Sequence, residues 1–264
     1  MKFAELKSPD IARMDKADKV VLVPLGSIEQ HGPHCPVMVD SLLGSELAAR
    51  VEATLPETVL LTPTLWLGSS DHHLTSPGTI SVPSALYIEM VSHVCESLLS
   101  AGFRRVFLFL SHGGNDVPCQ EVIYRLGLKY RERRNFWIAS AGWWSLADDV
   151  MRLPEMETER SSHACEYETS MVLALRPELV EMSAARGGRV GLESRFCILD
   201  PTSGKASKVR VSLPMEHMTE TGALGRPDLA TPEKGQRLLD TISERVAEFV
   251  REFATWPLPQ KGQP

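Results

Sequence analysis

Four short apolar runs, separated by stretches with helical periodicity, form the main pattern of this chain. Each run is continuous rather than alternating, as expected for parallel strands that are buried on both faces. The four predicted strands are Lys19–Leu25, Thr58–Pro63, Arg105–Leu110 and Phe136–Ser140.

Between the strands, apolar residues recur with the three-to-four-residue period of amphipathic helices. Two such stripes are Leu42, Leu43, Leu47 and Val51, and Ile88, Val91, Cys95 and Leu98. Near the C-terminus, Thr231 and Pro232 have the residue types of a helix cap and a first helical position. The stripe that follows comprises Leu238, Leu239, Ile242, Val246, Phe249, Val250 and Phe253. The alternation predicts an α/β fold in which helices cover both faces of a mostly parallel sheet.

The length of 264 residues suits one domain, 1–264, because a second independent domain would be cramped. The Pro-rich tail, 256–264, lacks periodicity and is expected to be loosely ordered or to contact another subunit. With 43% apolar and 23% charged residues, the composition excludes a disordered or fibrous chain.

The net charge of −6 is spread along the chain, so no basic stripe is available for nucleic acid. The apolar runs are too short to cross a bilayer, and acidic residues occupy the place of a signal peptide. Five cysteines without a CxxC pair fit reduced thiols. We therefore expect a cytoplasmic protein that contacts neither nucleic acid nor membrane.

Polar side chains collect directly after the predicted strands, where open parallel sheets place their active sites. Glu29 and His31 follow the first strand and, being two residues apart, project to the same side of an extended segment. Asp40 stands at the start of the next helix. Converging carboxylates and imidazoles suit zinc, manganese or iron(II). A polar loop with a hydrogen-bonded histidine is the simpler alternative for this segment alone.

The loops after the second and third strands add further candidates. His112 leaves the third strand beside Gly113 and Gly114, which let a backbone approach a ligand closely. The loop after the second strand carries Ser70 and His73 and has the length and polarity of a substrate-binding loop. Taken singly, His112 could lie in a surface turn, and the histidines of the loop after the second strand could simply hold that loop together.

A helix start after the fourth strand supplies the last candidates. His163 and Glu166 are three residues apart, so on a helix they would share a face, one binding a metal ion and the other transferring a proton. An acidic first turn stabilised by the helix dipole would need no metal. Since four loops at one sheet edge supply these groups together, unrelated explanations would have to coincide, and the sequence favours a metal site.

These segments resemble, in the expected order, the motifs of the creatininase (creatinine amidohydrolase) family. The matching segments are Gly26–His34 with Asp40, His72–Thr79, His112–Asn115, His163–Ser170 and Gly225–Gly235. The resemblance implies a three-layer α/β/α domain with one or two divalent ions (Zn, Mn or Fe). It also implies a closed homo-oligomer, with a hexamer favoured, and hydrolysis of a small amide, formamide or cyclic amide by metal-activated water.

Carried over residue by residue, the resemblance implies a ligand set in which Asp40 bridges two ions: Glu29, His31, Asp40 and His112. In creatininase a glutamate two residues after the matching histidine binds the second ion. This chain has Gly114 there, and Glu166 is the predicted replacement.

His163 is the candidate proton donor to the leaving nitrogen, with Glu168 or Glu166 orienting it. Predicted substrate contacts are Ser70, His73 and Gly113.

Departures from the family pattern suggest an altered pocket with a retained mechanism. Glu159 replaces a substrate-facing tryptophan, Ser76 a usual phenylalanine, and Leu110–Ser111 an Asn-Gly pair. Creatinine is therefore not the expected substrate.

Several other functions stay open at this point. Within the family they include peptide trimming and opening of an oxidised cyclitol ring. A thiol enzyme is a second class, because Cys35, Cys119 and Cys165 lie beside motif residues. A catalytically silent, metal-binding regulator that kept the fold is the third.

Overall fold

The computed structural model describes residues 1–133, 135–188, 194–198, 207–211 and 213–259. Its strands are β1 (Val20–Leu25), β2 (Val59–Leu61), β3 (Arg105–Leu110) and β4 (Trp137–Gly142). They form a sheet of order β2-β1-β3-β4 in which every neighbouring pair is parallel. The predicted strands are thus found at their predicted places, and β4 runs two residues further than its apolar pattern indicated.

Helices cover both faces of this sheet, which confirms the predicted α/β fold. The α-helices of the described residues are α1 (Ser8–Arg13), α2 (Val39–Thr54), α3 (Ser84–Ser100), α4 (Asp116–Lys129), α5 (Trp143–Leu146), α6 (Glu166–Leu175), α7 (Met215–Met218) and α8 (Pro232–Thr255). Helices α2, α6 and α8 pack on the face that carries Leu22 and Phe107. Helices α3 and α4 pack on the opposite face, against Val21 and Leu108. The Thr231 side chain caps α8 by accepting from the Lys234 N–H at 3.3 Å, as predicted.

The strand ends bring the functional loops together. β1 and β3 are adjacent and parallel, so the segments that leave their carboxyl ends emerge side by side. A Cβ at Gly26 would lie 2.7 Å from the Cα of Ser41. Glycine is therefore required for α2 to begin this close to the end of β1.

The start of the predicted tail packs on its own chain. The Trp256 ring lies 5.2 Å from that of Phe253, and Arg105 donates to the Trp256 carbonyl at 2.8 Å. Residues 260–264 lie outside the described residues. Among the helices of the described part, none has the combined length and hydrophobicity of a membrane span.

Candidate metal centre

Buried carboxylates and imidazoles meet where β1 and β3 end. The side chains are Glu29, His31, Asp40, His112 and Glu168, of which none is more than 7% exposed. The first two follow β1, the third lies in the first turn of α2, the fourth follows β3 and the last lies in the first turn of α6. Charges buried to this extent require compensating partners or a metal ion.

Glu29, Asp40 and His112 form the first donor set. Nδ1 of His112 lies 3.2 Å from Oε2 of Glu29 and 3.0 Å from Oδ2 of Asp40. Nε2 of the same ring donates to the Ser69 carbonyl at 3.1 Å and lies 3.0 Å from the Ser70 hydroxyl. Because a carbonyl can only accept, Nε2 carries the hydrogen, and Nδ1 is the nitrogen available to a metal ion.

His31, Asp40 and Glu168 form the second donor set. Nε2 of His31 lies 3.3 Å from Oδ1 of Asp40 and 3.8 Å from Oε2 of Glu168. Nδ1 of His31 donates to the backbone carbonyl of Glu29 at 3.1 Å, which leaves Nε2 available. Asp40 therefore directs one carboxylate oxygen at each donor set.

The unpaired atoms of this cluster fit a bound cation. Oε2 of Glu29, Nε2 of His31 and Oδ2 of Asp40 are buried without a hydrogen-bond partner, although buried polar atoms are normally satisfied. Burial lowers the pKa of His31, but the charges of Asp40, Glu168 and Glu29 outweigh it and raise the pKa to about 9. Burial, together with the neighbouring carboxylates, raises the pKa of Glu168 to about 8. Without metal the cluster thus retains protons that a divalent ion would displace.

Two further histidines flank Glu29. Nε2 of His73 and Nδ1 of His163 lie 3.3 Å and 3.5 Å from Oε1 of Glu29. Burial lowers the pKa of His73 to about 4, and burial and the charge of His31 hold the pKa of His163 well below its usual range. Both rings are therefore neutral.

Gln30 holds these two rings in place. Its side-chain amide donates to Nδ1 of His73 and to the Gly222 carbonyl, each at 2.9 Å, and its backbone carbonyl accepts from Nε2 of His163 at 2.8 Å. Gln30 lies within the motif Gly26–His34, but its role could not be predicted from the sequence. An uncharged amide offers no signal until its partners are known.

A cavity of about 340 Å³ borders the donor atoms. Trp143 and Trp144, directly after β4, supply an apolar part of its wall. They too were missed, since adjacent tryptophans are equally common in a core. The remaining walls include His72, His73, Ser111, Gly113, Gly114, Ser161, Ser162, His163 and Met215.

The geometry corrects the ligand role predicted for Glu166. Its carboxylate is fully buried away from the donor sets and is held by Lys234 at 2.7 Å and by the Thr158 N–H at 2.8 Å. Glu168, predicted as a catalytic residue, lies beside His31 instead.

Of the three predicted substrate contacts, two line the cavity and one does not. His73 and Gly113 line the cavity. Ser70 is fully buried, and its hydroxyl lies 2.5 Å from that of Ser27 and 3.0 Å from His112. Its place is therefore behind a candidate ligand and not in the cavity wall, which corrects the predicted substrate contact.

The Gly113–Gly114 pair offers a matched test of the first donor set. A Cβ at Gly114 would lie 2.4 Å from Nε2 of His112 and 2.3 Å from the Ser69 carbonyl, whereas one at Gly113 meets no atom within 4 Å. We expect Gly114→Ala to lower metal affinity about 10–100-fold, the scale for disturbed partners of a ligand, and Gly113→Ala to retain metal. Titration of the metal-free proteins with Zn²⁺ measures both, and equal affinities would contradict the arrangement.

The cysteines beside the motifs are poor nucleophiles. Burial raises the pKa of the Cys35 and Cys165 thiols to about 12 each, and burial also raises that of Cys119. A thiolate is the reactive form, so the structure does not favour the thiol-enzyme alternative.

Fold and site together define an α/β protein with a buried carboxylate and histidine cluster of the type that holds divalent metal ions. Residues 4–250 match the profile of the Creatininase family, described as creatinine amidohydrolase. The chain belongs to this family and is a creatininase-family hydrolase, as the resemblance of its motifs predicted.

Characterised relatives cover nearly the full length. A mycofactocin precursor peptide peptidase of Mycobacterium tuberculosis (strain ATCC 25618 / H37Rv) is 30% identical over 265 residues, 97% of this chain and 92% of that protein. Creatinine amidohydrolase of Pseudomonas putida is 26% identical, with 91% and 92% covered. A 3-dehydro-scyllo-inosose hydrolase of Thermotoga maritima is also 26% identical, with 97% and 86% covered.

Solved structures agree with the fold. A mutant creatininase superposes with a TM-score of 0.80 at 24% identity, covering 95% of this chain and 98% of its own. A mutant creatininase of the Zn-Zn type superposes with a TM-score of 0.77 at 25% identity, with 95% and 97% covered. A structure named creatininase Mn gives a TM-score of 0.77 at 24% identity.

Proposed function

We propose that this chain is a divalent-metal-dependent amidohydrolase with two metal sites that share Asp40. The first site consists of Glu29, Asp40 and His112, and the second of His31, Asp40 and Glu168. The observation that carries the proposal is the division of Asp40, whose Oδ2 faces His112 at 3.0 Å while its Oδ1 faces His31 at 3.3 Å. Mixed nitrogen and oxygen donors suit zinc, manganese or iron(II), and structures of relatives are named for Zn and Mn.

The bound ions would lower the pKa of a water molecule and polarise the scissile carbonyl. His163 then handles the proton. Its Nε2–H donates to the Gln30 carbonyl, so the neutral ring presents the lone pair of Nδ1 on the side of Glu29. That nitrogen can take the proton released as water attacks and return it to the departing nitrogen, which yields a carboxylic acid and an amine.

The cavity supports a small substrate. At about 340 Å³ it lies at the small end of ligand pockets, and Trp143 and Trp144 offer a surface for a flat or apolar group. A small amide, formamide or cyclic amide fits these features. Peptide trimming and cyclitol ring opening are the second candidates, because relatives of similar identity are named for a peptide peptidase and an inosose hydrolase.

Metal analysis followed by a substrate panel tests the proposal. We expect about two divalent ions per chain and turnover of formanilide or 2-pyrrolidone. Creatinine, a blocked dipeptide amide and a ketocyclitol represent the alternative substrates. Chelation should abolish turnover, and added Mn²⁺, Zn²⁺ or Fe²⁺ should restore it. Iodoacetamide treatment serves as the control and should leave turnover unchanged.

Three outcomes would contradict the proposal. Turnover that survives chelation and is lost on alkylation would indicate a thiol enzyme. A protein that shows no turnover with any of these metals would indicate a silent regulator. Cleavage of the dipeptide amide alone would retain the metal centre and replace the substrate class. The closed homo-oligomer and the cytoplasmic location stay predictions.

A further inference from the structure

Glu166 is a buried carboxylate that the metal centre does not use. It is 0% exposed, at the first position of α6. It accepts from the backbone N–H groups of Glu157 at 3.2 Å and Thr158 at 2.8 Å, and also from the Thr158 hydroxyl. Its other oxygen accepts from the Lys234 ammonium at 2.7 Å. None of these partners belongs to either donor set.

Lys234 ties this carboxylate to the start of α8. Its ammonium also donates to the Leu229 carbonyl at 2.8 Å, and its backbone N–H donates to the capping Thr231. A Cβ at Gly235 would lie 1.8 Å from the Ser170 carbonyl, so α8 approaches α6 as closely as two backbones allow. The ion pair is therefore enclosed where α6 and α8 cross, and its lysine belongs to the motif Gly225–Gly235.

The contacts of α6 fix both ends of one loop, residues 157–163. At the near end Glu166 holds Glu157 and Thr158, and the Tyr167 hydroxyl donates to the Thr158 carbonyl at 2.9 Å. At the far end Glu168 accepts from the N–H of Ala164 at 2.6 Å. Between these ends, the loop supplies Ser161, Ser162 and His163 to the cavity wall.

We propose that Glu166, paired with Lys234, is a positioning residue that holds the loop 157–163 so that His163 faces Glu29 across the cavity. The inference rests on the proton-transfer role given to His163 above. The proposal gives the motif Gly225–Gly235, through Lys234, a function at the site, although the side chains of Glu166 and Lys234 do not line the cavity. A merely structural ion pair would contribute to stability and leave the loop and turnover unchanged in the folded protein.

Lys234→Met removes the charge partner and leaves the Glu166 carboxylate unpaired. We expect faster hydrogen–deuterium exchange in the peptide that spans 157–163, unchanged metal content, an unchanged KM and a kcat lower by about tenfold or more, since small misplacements of a reacting group are costly. The substrate is the fastest-cleaved amide of the panel above. The double variant Lys234→Met with Glu166→Gln, which removes the unpaired charge, should recover part of both losses.

Leu239→Ala provides the matched control. Leu239 is fully buried on α8, five residues beyond Lys234, and packs in the core on the sheet face that carries Leu22. This variant should lower the melting temperature while exchange in 157–163 and kcat stay at wild-type values. The proposal is overturned if Leu239→Ala and Lys234→Met lose kcat equally, or if Lys234→Met keeps wild-type exchange and kcat. It is also overturned if Lys234→Met loses metal in proportion to its loss of activity. If the wild type cleaves no amide, the proposed function is wrong. The exchange comparison would still decide whether the ion pair holds the loop.

Discussion

Asp40→Ala is expected to lose bound metal and turnover together, with the largest effect of any single change in the site. Its two oxygens face different donor sets, His112 at 3.0 Å and His31 at 3.3 Å, so one substitution removes a ligand from both sites. The loss of metal affinity should exceed the about 10–100-fold typical for partners that only orient a ligand. Calorimetric titration of the metal-free protein with Zn²⁺, and metal analysis of the folded fraction, measure it.

Glu166→Ala is the matched control for this change. It removes a carboxylate that is as deeply buried as Asp40 but is held by Lys234 outside both donor sets. We expect lower stability with a metal content close to that of the wild type. Equal metal loss in the two variants would refute the shared-ligand geometry. Loss of one ion per chain from Asp40→Ala, with the other retained at unchanged affinity, would show that Asp40 belongs to one site only.

The positions of Glu29, His31, Asp40 and His112 could be predicted from the sequence because strand order decides them. Each follows a recognisable buried strand or begins the next helix, and neighbouring parallel strands end at one edge. The two-residue spacing of Glu29 and His31 also fixes the side to which they project. These positions follow from local sequence patterns and can be predicted without knowing how the side chains pack.

The choice between Glu166 and Glu168 could not be made in this way. The prediction placed His163 and Glu166 on one helix face, but α6 begins at Glu166, and His163 precedes it. Between them Ala164 has a φ of +50°, a left-handed conformation that residues other than glycine rarely adopt. In the helix that follows this turn, Glu168 faces the metal centre and Glu166 faces α8. Nothing in an alanine signals such a turn.

Ser70 shows a second limit of sequence reasoning. A hydroxyl in a long polar loop suggested contact with substrate, and the actual partner is His112, from another loop. Which side of a loop faces the cavity depends on contacts made across the fold, here with Ser27 at the end of β1. Residues that orient a ligand therefore become visible only with the tertiary structure.

His163→Ala is expected to keep its bound ions and its fold while turnover falls by about a hundredfold or more, the usual scale for general acid–base catalysis. The ring faces Oε1 of Glu29, whereas Oε2 is the oxygen that faces His112, and Asp40 and His112 are positioned by other residues. Its Nδ1 lies 3.5 Å from Oε1 of Glu29, and its side chain is 12% exposed, so the ring can reach a substrate in the cavity. Metal analysis and kcat for the same preparation separate the two roles.

His93→Ala is the control for this prediction, because His93 is 76% exposed on α3 and lies outside the site. It should match the wild type in metal content and turnover. Added imidazole should restore part of the turnover of His163→Ala, since removing the ring leaves space beside Glu29 and a free imidazole can carry the proton there. Metal loss in proportion to lost activity would instead make His163 a ligand. In that case imidazole would act only by restoring metal, and the proton would have to pass through Glu168, whose carboxylate already accepts from the Ala164 N–H at 2.6 Å.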